Sequence, residues 1–247
     1  VVNSLFPANV RDRLFQQEKP TDAKKANAFL NQPSGIAKKN GLGILPIADL
    51  FPKATVCFAD IAGFTAWSSS REPTQVFTLL ETIYGKFDSL ARKRKVFKVE
   101  TIGDCYMAVT GCPDRQDDHA LRMVRFACKC LEKMNQITRE LEVSLGPDTG
   151  NLTMRIGVHS GPVTAGVLRG EKSRFQLFGD TVNTASRMER AGQPSRIQCS
   201  EATANLLVKA GKEAVLTKRE DVTHAKGKGI VQSYWINPAD LSLIPVS

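Results

Sequence analysis

Two apolar runs in this chain each stop at an aspartate, and that pairing limits the possible folds more than any other feature. ATVCFA, from Ala54, ends on Asp60, and VFKVE (96–100) turns through Thr101, Ile102 and Gly103 before Asp104. Short runs rich in β-branched and aromatic residues read as strands, so the two carboxylates come from neighbouring strand ends. A single aspartate there is most simply a turn residue. Two together, each behind a buried-looking run, point to a shared ligand, because paired carboxylates bind hard divalent cations and paired cations serve in-line displacement at phosphorus. The segment that follows Asp60, IleAlaGlyPheThr, is small and carries a glycine. Its backbone N–H groups could face phosphate oxygens ahead of a helix.

The rest of the pattern supplies the frame. Val76, Leu80, Ile83, Phe87 and Leu90 recur at three and four residues and predict a helix over about 74–93. VFKVE and CYMAVTG flank the ThrIleGlyAsp turn as a hairpin, with Gly103 permitting the reversal. Ala120, Val124, Ala127, Leu131, Met134 and Leu141 predict a second helix over about 117–142, leading into LTMRIGVHSG and PVTAGVL. The order strand, helix, strand, strand, helix, strand is that of an α+β fold, a ferredoxin-like βαββαβ core with an antiparallel sheet and helices on one face. A C-terminal α/β extension follows: RFQLFG as strand, TVNTASRMERAG as helix, SRIQCS as strand, EATANLLVKAG as helix, and strands near 213–217 and 230–236. Residues 1–47 read as a short amphipathic piece, hinge and linker, 48–237 as the folded domain and 238–247 as a tail.

Composition narrows the class of function. The chain has 247 residues, enough for one full core and an accessory segment. No apolar run approaches the roughly 20 residues that span a bilayer, and the start has neither a signal-peptide layout nor an initiator methionine. The chain therefore reads as a piece of a longer protein whose membrane anchor could lie outside it. Six cysteines without zinc-ligand spacing read as reduced thiols. The net charge of +9 is spread out, and its dense run, ArgLysArgLys at 92–95, closes a helix. Nucleic acid is thus not the expected partner, and attraction of anionic nucleotide is the better use of the charge. His119, His159 and His224 read as packing or solvent-facing residues.

FADIAGFT (58–65), KVETIGDCYM (98–107) and RFQLFGDTVNTASRMERAG (174–192) together resemble the class III nucleotidyl cyclase catalytic domain, closest to eukaryotic guanylate cyclases, over about residues 48–237. The resemblance implies a 3′,5′-cyclising lyase in which Asp60, Asp104 and the carbonyl of Ile61 hold two divalent cations, Mg2+ or Mn2+. Ala62, Gly63 and Phe64 would offer backbone N–H groups to the polyphosphate. Asn183 would orient the ribose and Arg187 would meet the α-phosphate; four residues apart on a helix, they share one face. Lys226, in AlaLysGlyLysGly, would hold the terminal phosphates, with Lys228 beside it.

Base choice is the open point. Cyclases that use GTP carry a glutamate where this chain has Glu100, whereas ATP users typically carry lysine, so GTP is favoured over ATP. At the second base position this chain has Gln176, where guanylate cyclases usually have cysteine or another small polar residue and adenylate cyclases aspartate. A glutamine amide can donate to guanine O6 or, turned over, accept from the adenine amine. Because both halves of the family's composite site are on one chain, the resemblance implies a homodimer with two sites, a cytosolic-facing part of a membrane-anchored protein driven by an upstream sensor. The rival of another class is a silent regulatory dimerisation module. A diguanylate cyclase or polymerase palm is disfavoured, since no GlyGlyAsp stands at 102–105.

Overall fold

The computed structural model describes residues 47–168, 174–220, 223–225 and 229–238. They form two compact units. The larger takes in Leu50–Thr164 and the residues from Leu177 onward; the smaller takes in 47–49 and the described part of Ala165–Gln176. The expectations for the first 46 residues, for the tail, and for Lys226 and Lys228 lie outside the described residues.

The elements run β1 (Ile47–Ala62), α1 (Phe64–Ser68), α2 (Pro73–Lys93), β2 (Phe97–Ile102), β3 (Cys105–Thr110), α3 (His119–Leu145), β4 (Thr153–Leu168), β5 (Arg174–Phe178) and α4 (Asp180–Arg190). They continue with β6 (Arg196–Ser200), α5 (Glu201–Lys209), β7 (Leu216–Lys218), β8 (Thr223–Ala225), β9 (Gly229–Val231) and β10 (Ser233–Ile236). The helix α2 begins with proline at its first position and a reciprocal capping box between Glu72 and Gln75, and ends with Arg92 and Lys93 in its last turn. Its buried line is Leu79, Ile83, Phe87 and Ala91, while Val76, Leu80 and Leu90 pack at the margin. The expected stripe was rotated from the true one because Ala91 and Leu79 complete an unbroken row at a spacing of four.

Sheet order is β2-β3-β1-β4-β6-β10-β7, with β5 on β4 and a separate β8–β9 pair. The first four strands keep the ferredoxin-like order. β4 and β6 are parallel, so the sheet is mixed where an antiparallel one was expected; the crossover through α4 is what a parallel neighbour requires. The predicted pieces LTMRIGVHSG and PVTAGVL form the single strand β4. The strands expected near 213–217 and 230–236 are instead a 3-10 turn at Glu213–Val215 followed by β7, and β9 and β10 parted by Gln232.

Alternation along the strands sorts the two faces. Cys57, Ala59, Ile61, Tyr106, Ala108, Ile156 and Val158 share the main core with residues of α2, α3 and α5. The opposite face of β4 takes α4, which differs from the one-sided arrangement predicted. Gly157 makes this possible: a Cβ there would stand 1.9 Å from the backbone nitrogen of Glu189.

A row of polar groups crosses the same core. Thr55 Oγ1 lies 2.6 Å from His119 Nδ1 and 2.8 Å from Ser160 Oγ, which is 2.9 Å from Thr203 Oγ1. His159 Nδ1 is 2.6 Å from Ser200 Oγ. His119 is thus a buried, bonded residue at the start of α3, and burial pushes its pKa down. None of the six cysteines is in a disulfide.

Candidate active site

Strand pairing places the two aspartates side by side. Asp60 on β1 is opposite Cys105 on β3, so Asp104, one residue earlier in the hairpin turn, is its neighbour. The N–H of Ile61 donates to the carbonyl of Asp104 at 3.3 Å. Gly103 takes φ 63 at the turn, a conformation that suits glycine, and its carbonyl accepts from Tyr84 Oη at 3.0 Å. Helix α2 therefore holds the turn that presents Asp104.

Asp60 is half-buried, and burial raises its pKa, with the charge of Asp104 adding to the rise and Arg155 and Arg190 opposing it. Arg155, from β4, donates from Nη2 to Asp60 Oδ2 at 3.0 Å and from Nε to Glu189 Oε1 at 2.5 Å. Glu189 is buried at 5% exposure; desolvation raises its pKa even against the hydrogen bond from Arg155. Two carboxylates from adjacent strand ends, one of them also paired with Arg155, form an oxygen-only donor set that suits Mg2+ or Mn2+. Among the described residues no cluster of three or more His, Cys, Asp or Glu could hold a metal ion. A bound ion would thus draw on backbone and substrate oxygens besides Asp60 and Asp104.

The chain leaves β1 through Ala62, Gly63 and Phe64. Gly63 has φ 89, and its carbonyl accepts from Trp67 at 3.1 Å to start the one-turn helix α1. Trp67 is buried; its indole donates to Thr149 Oγ1 at 3.1 Å, and Arg71 stacks 5.1 Å over its ring. The backbone next to Asp60 is in this way tied to the core.

Glu100 reaches the same face as Asp60. It pairs with Met107, which pairs with Phe58, two residues before Asp60, and alternation gives all of these one side of the sheet. The pairing shifts between Lys98 and Glu100, so Val99 is an extra residue, a β-bulge. On α4, Asn183 is exposed and Arg187 half-exposed, one turn apart, on the flank away from buried Thr184, Ala185 and Met188. The structure does not bond either of them to Asp60 or Asp104 within the chain. Gln176 sits half-buried on β5, in the smaller unit.

The sequence model of the adenylate and guanylate cyclase catalytic domain matches residues 48–238. The chain belongs to this family. It is 40% identical over 223 residues to receptor-type guanylate cyclase gcy-28 of Caenorhabditis elegans, covering 89% of the chain and 17% of that protein. It is 41% identical over 229 residues to human atrial natriuretic peptide receptor 2, covering 92% of the chain and 21% of the receptor. The chain thus spans about a fifth of the length of these curated relatives. Among solved structures, the guanylate cyclase domain of RhGC from Catenaria anguillulae, in complex with GTP, superposes with a TM-score of 0.67 at 36% identity, covering 76% of this chain and 98% of that one.

In this cyclase domain, sequence reading did not find Arg155 and Glu189. A signal for the first was present: an arginine between Met154 and Ile156, inside an apolar strand, needs a charged partner to be tolerated there. Which partner it takes depends on Asp60, 95 residues away, and Glu189, 34 residues away, and local pattern carries no such information. No helix among the described residues is long and apolar enough to cross a membrane.

Proposed function

We propose that this cyclase domain converts GTP to 3′,5′-cyclic GMP and pyrophosphate at a site completed by a second copy of the chain. The observation that carries this reading is the placement of Asp60 and Glu100 on one sheet face with Asp104 beside Asp60. A metal-binding pair and a carboxylate able to accept from guanine N1–H and the exocyclic amine then lie along one surface. A related guanylate cyclase domain has its structure in complex with GTP.

Asp60, Asp104 and the Ile61 carbonyl would hold two divalent cations, Mg2+ or Mn2+. Bound there, such ions lower the pKa of the ribose 3′-hydroxyl and offset charge on the phosphates. The remaining work falls to the protein. Arg155, held by Glu189, keeps a cation against Asp60. The N–H groups of Ala62, Gly63 and Phe64 would receive polyphosphate oxygens, and Lys226 the terminal ones. Asn183 of the second copy would fix the ribose, and its Arg187 would neutralise charge growing on the α-phosphate, a role of position and electrostatics. Gln176 would donate to guanine O6. Relatives of this chain are named as receptors, and we assign the domain to the cytosolic side of a longer membrane-anchored protein with an upstream sensor.

A second reading, with ATP as substrate, draws on the Gln176 amide, which can accept from the adenine amine when turned over. The deciding experiment supplies GTP and ATP separately with Mg2+ or Mn2+ and identifies the product. Cyclic GMP in excess is the expected result. Equal turnover, or more cyclic AMP, overturns the choice of GTP, and no product with either nucleotide leaves a regulatory module.

A further inference from the structure

Lys98 and Glu100 stand two residues apart on β2, and in a regular strand such residues share a face. Here they do not. Lys98 pairs with Ala108, whose neighbours on the helix-packed face include Tyr106, and Glu100 pairs with Met107 on the opposite face. The extra residue, Val99, accounts for the change of side.

One cluster holds Lys98 where it is. Its Nζ lies 2.9 Å from Asp88 Oδ1 and 3.0 Å from Asp88 Oδ2. Tyr106 Oη donates to the same carboxylate at 2.9 Å. The ammonium also sits 5.2 Å above the Tyr106 ring and 5.9 Å from that of Tyr84, distances at which cation–π attraction operates. The side chains of Lys98 and Asp88 are 34% and 31% exposed, so the pair is neither free in solvent nor fully desolvated. Tyr84 in turn binds the carbonyl of Gly103. One face of α2 thereby grips the hairpin at two points, one on each side of Glu100.

We propose that Asp88, Lys98 and Tyr106 form a clamp that selects the bulged pairing of β2 and so aims Glu100 at the purine; they are positioning residues for base selection. The inference rests on the reading of Glu100 as the guanine acceptor. Without the clamp two unbulged pairings compete. In one, Lys98 moves to the substrate face and Val99 replaces it against the helices. In the other, Glu100 itself turns toward the helices. Both remove the ordered arrangement of carboxylate toward the base and ammonium toward α2. The electrostatic role of Lys98 is then local: it faces Asp88, Tyr84 and Tyr106 rather than the nucleotide.

The test uses the full chain with Mn2+ and measures kcat/KM for GTP and ATP separately in Asp88→Asn, Lys98→Met, Tyr106→Phe and Glu100→Lys. In Asp88→Asn and Lys98→Met the ratio of GTP to ATP efficiency is expected to fall by about tenfold, the discrimination carried by one well-placed contact, chiefly through a higher KM for GTP. Tyr106→Phe keeps the ring and removes one donor to Asp88; it folds on the same core and gives a smaller fall in the same direction. A clamp that only stabilises the domain would lower both nucleotides together, and an unchanged ratio in the folded variants overturns the inference. Glu100→Lys separates the two ideas. If it shifts the ratio while Asp88→Asn and Tyr106→Phe do not, the clamp fails and the reading of Glu100 stands. If it leaves the ratio unchanged, that reading fails and takes the clamp with it.

Discussion

Arg155 reaches Asp60 at 3.0 Å with one guanidinium nitrogen and Glu189 at 2.5 Å with another. A single side chain of β4 therefore joins a carboxylate of the candidate metal pair to a buried carboxylate on α4. Removing the middle of this row strands a charge: in Arg155→Met, Glu189 keeps its burial and loses its donor. Breaking a buried pair in this way destabilises by roughly 3–5 kcal/mol, and partial exposure of Arg155 puts this case at or below the low end. The double variant Arg155→Met, Glu189→Gln should recover much of the loss in a urea melt. No recovery would mean that Arg155 acts through packing.

Asp60→Asn should separate activity from stability. Its carboxyl pKa is raised above the usual 3.8, so the folded state binds its proton more tightly than the unfolded state does. The stability linked to this group is complete below pH 3.8 and is lost as pH rises through the raised value. At pH 7.5 without metal the asparagine variant is expected to melt no lower than the parent. Cyclase turnover should fall by more than about a hundredfold, beyond the effect typical of residues that only support a metal ligand. Mn2+ should raise the melting temperature of the parent and leave that of the variant unchanged, since only a folded state that binds the ion gains from it.

His119 predicts an opposite slope on acidification. Burial lowers its pKa from 6.5, so the unfolded chain takes up the proton first. Stability is complete above pH 6.5 and declines as pH falls from there through the depressed folded value. Differences in unfolding free energy between parent and His119→Gln, measured from pH 8 to 5, should show this decline in the parent alone. Thr55→Val removes the hydroxyl that faces His119 and Ser160 and should cost about 1–3 kcal/mol for the polar groups left unpaired.

Sharing of the site between copies can be tested by mixing. A chain with Asp60→Ala and Asp104→Ala, and another with Asn183→Ala and Arg187→Ala, should each be inactive. Random pairing of the two gives one intact site in half of the dimers, so about a quarter of the parent activity should return. Continued silence of the mixture would show that each site is built within one chain.

What could be read in advance was what depends on neighbours in sequence. Asp60 and Asp104 stood at strand ends recognisable from their apolar runs, and α3 followed its stripe from Ala120 to Met134. The face of Glu100 could not be read, because a bulge breaks the period of two on which such reasoning depends and Val99 carries no mark of it. Arg155 and Glu189 meet only once α4 lies across Gly157, a contact set by tertiary packing. The parallel partner of β4 was hidden for the same reason: strand direction is decided by the crossover, and each run looks alike in either orientation.

Among the strands of the described residues, β2 stands at the end of the sheet order. An exposed strand edge is a template for pairing with other chains, and a bulge or a lysine on it is a means of preventing that. β2 has both within three residues, at Lys98 and Val99. A straightened β2 would thus bring a hazard apart from catalysis: the domain would offer a flat border on which further copies could add strand by strand and leave solution as aggregate.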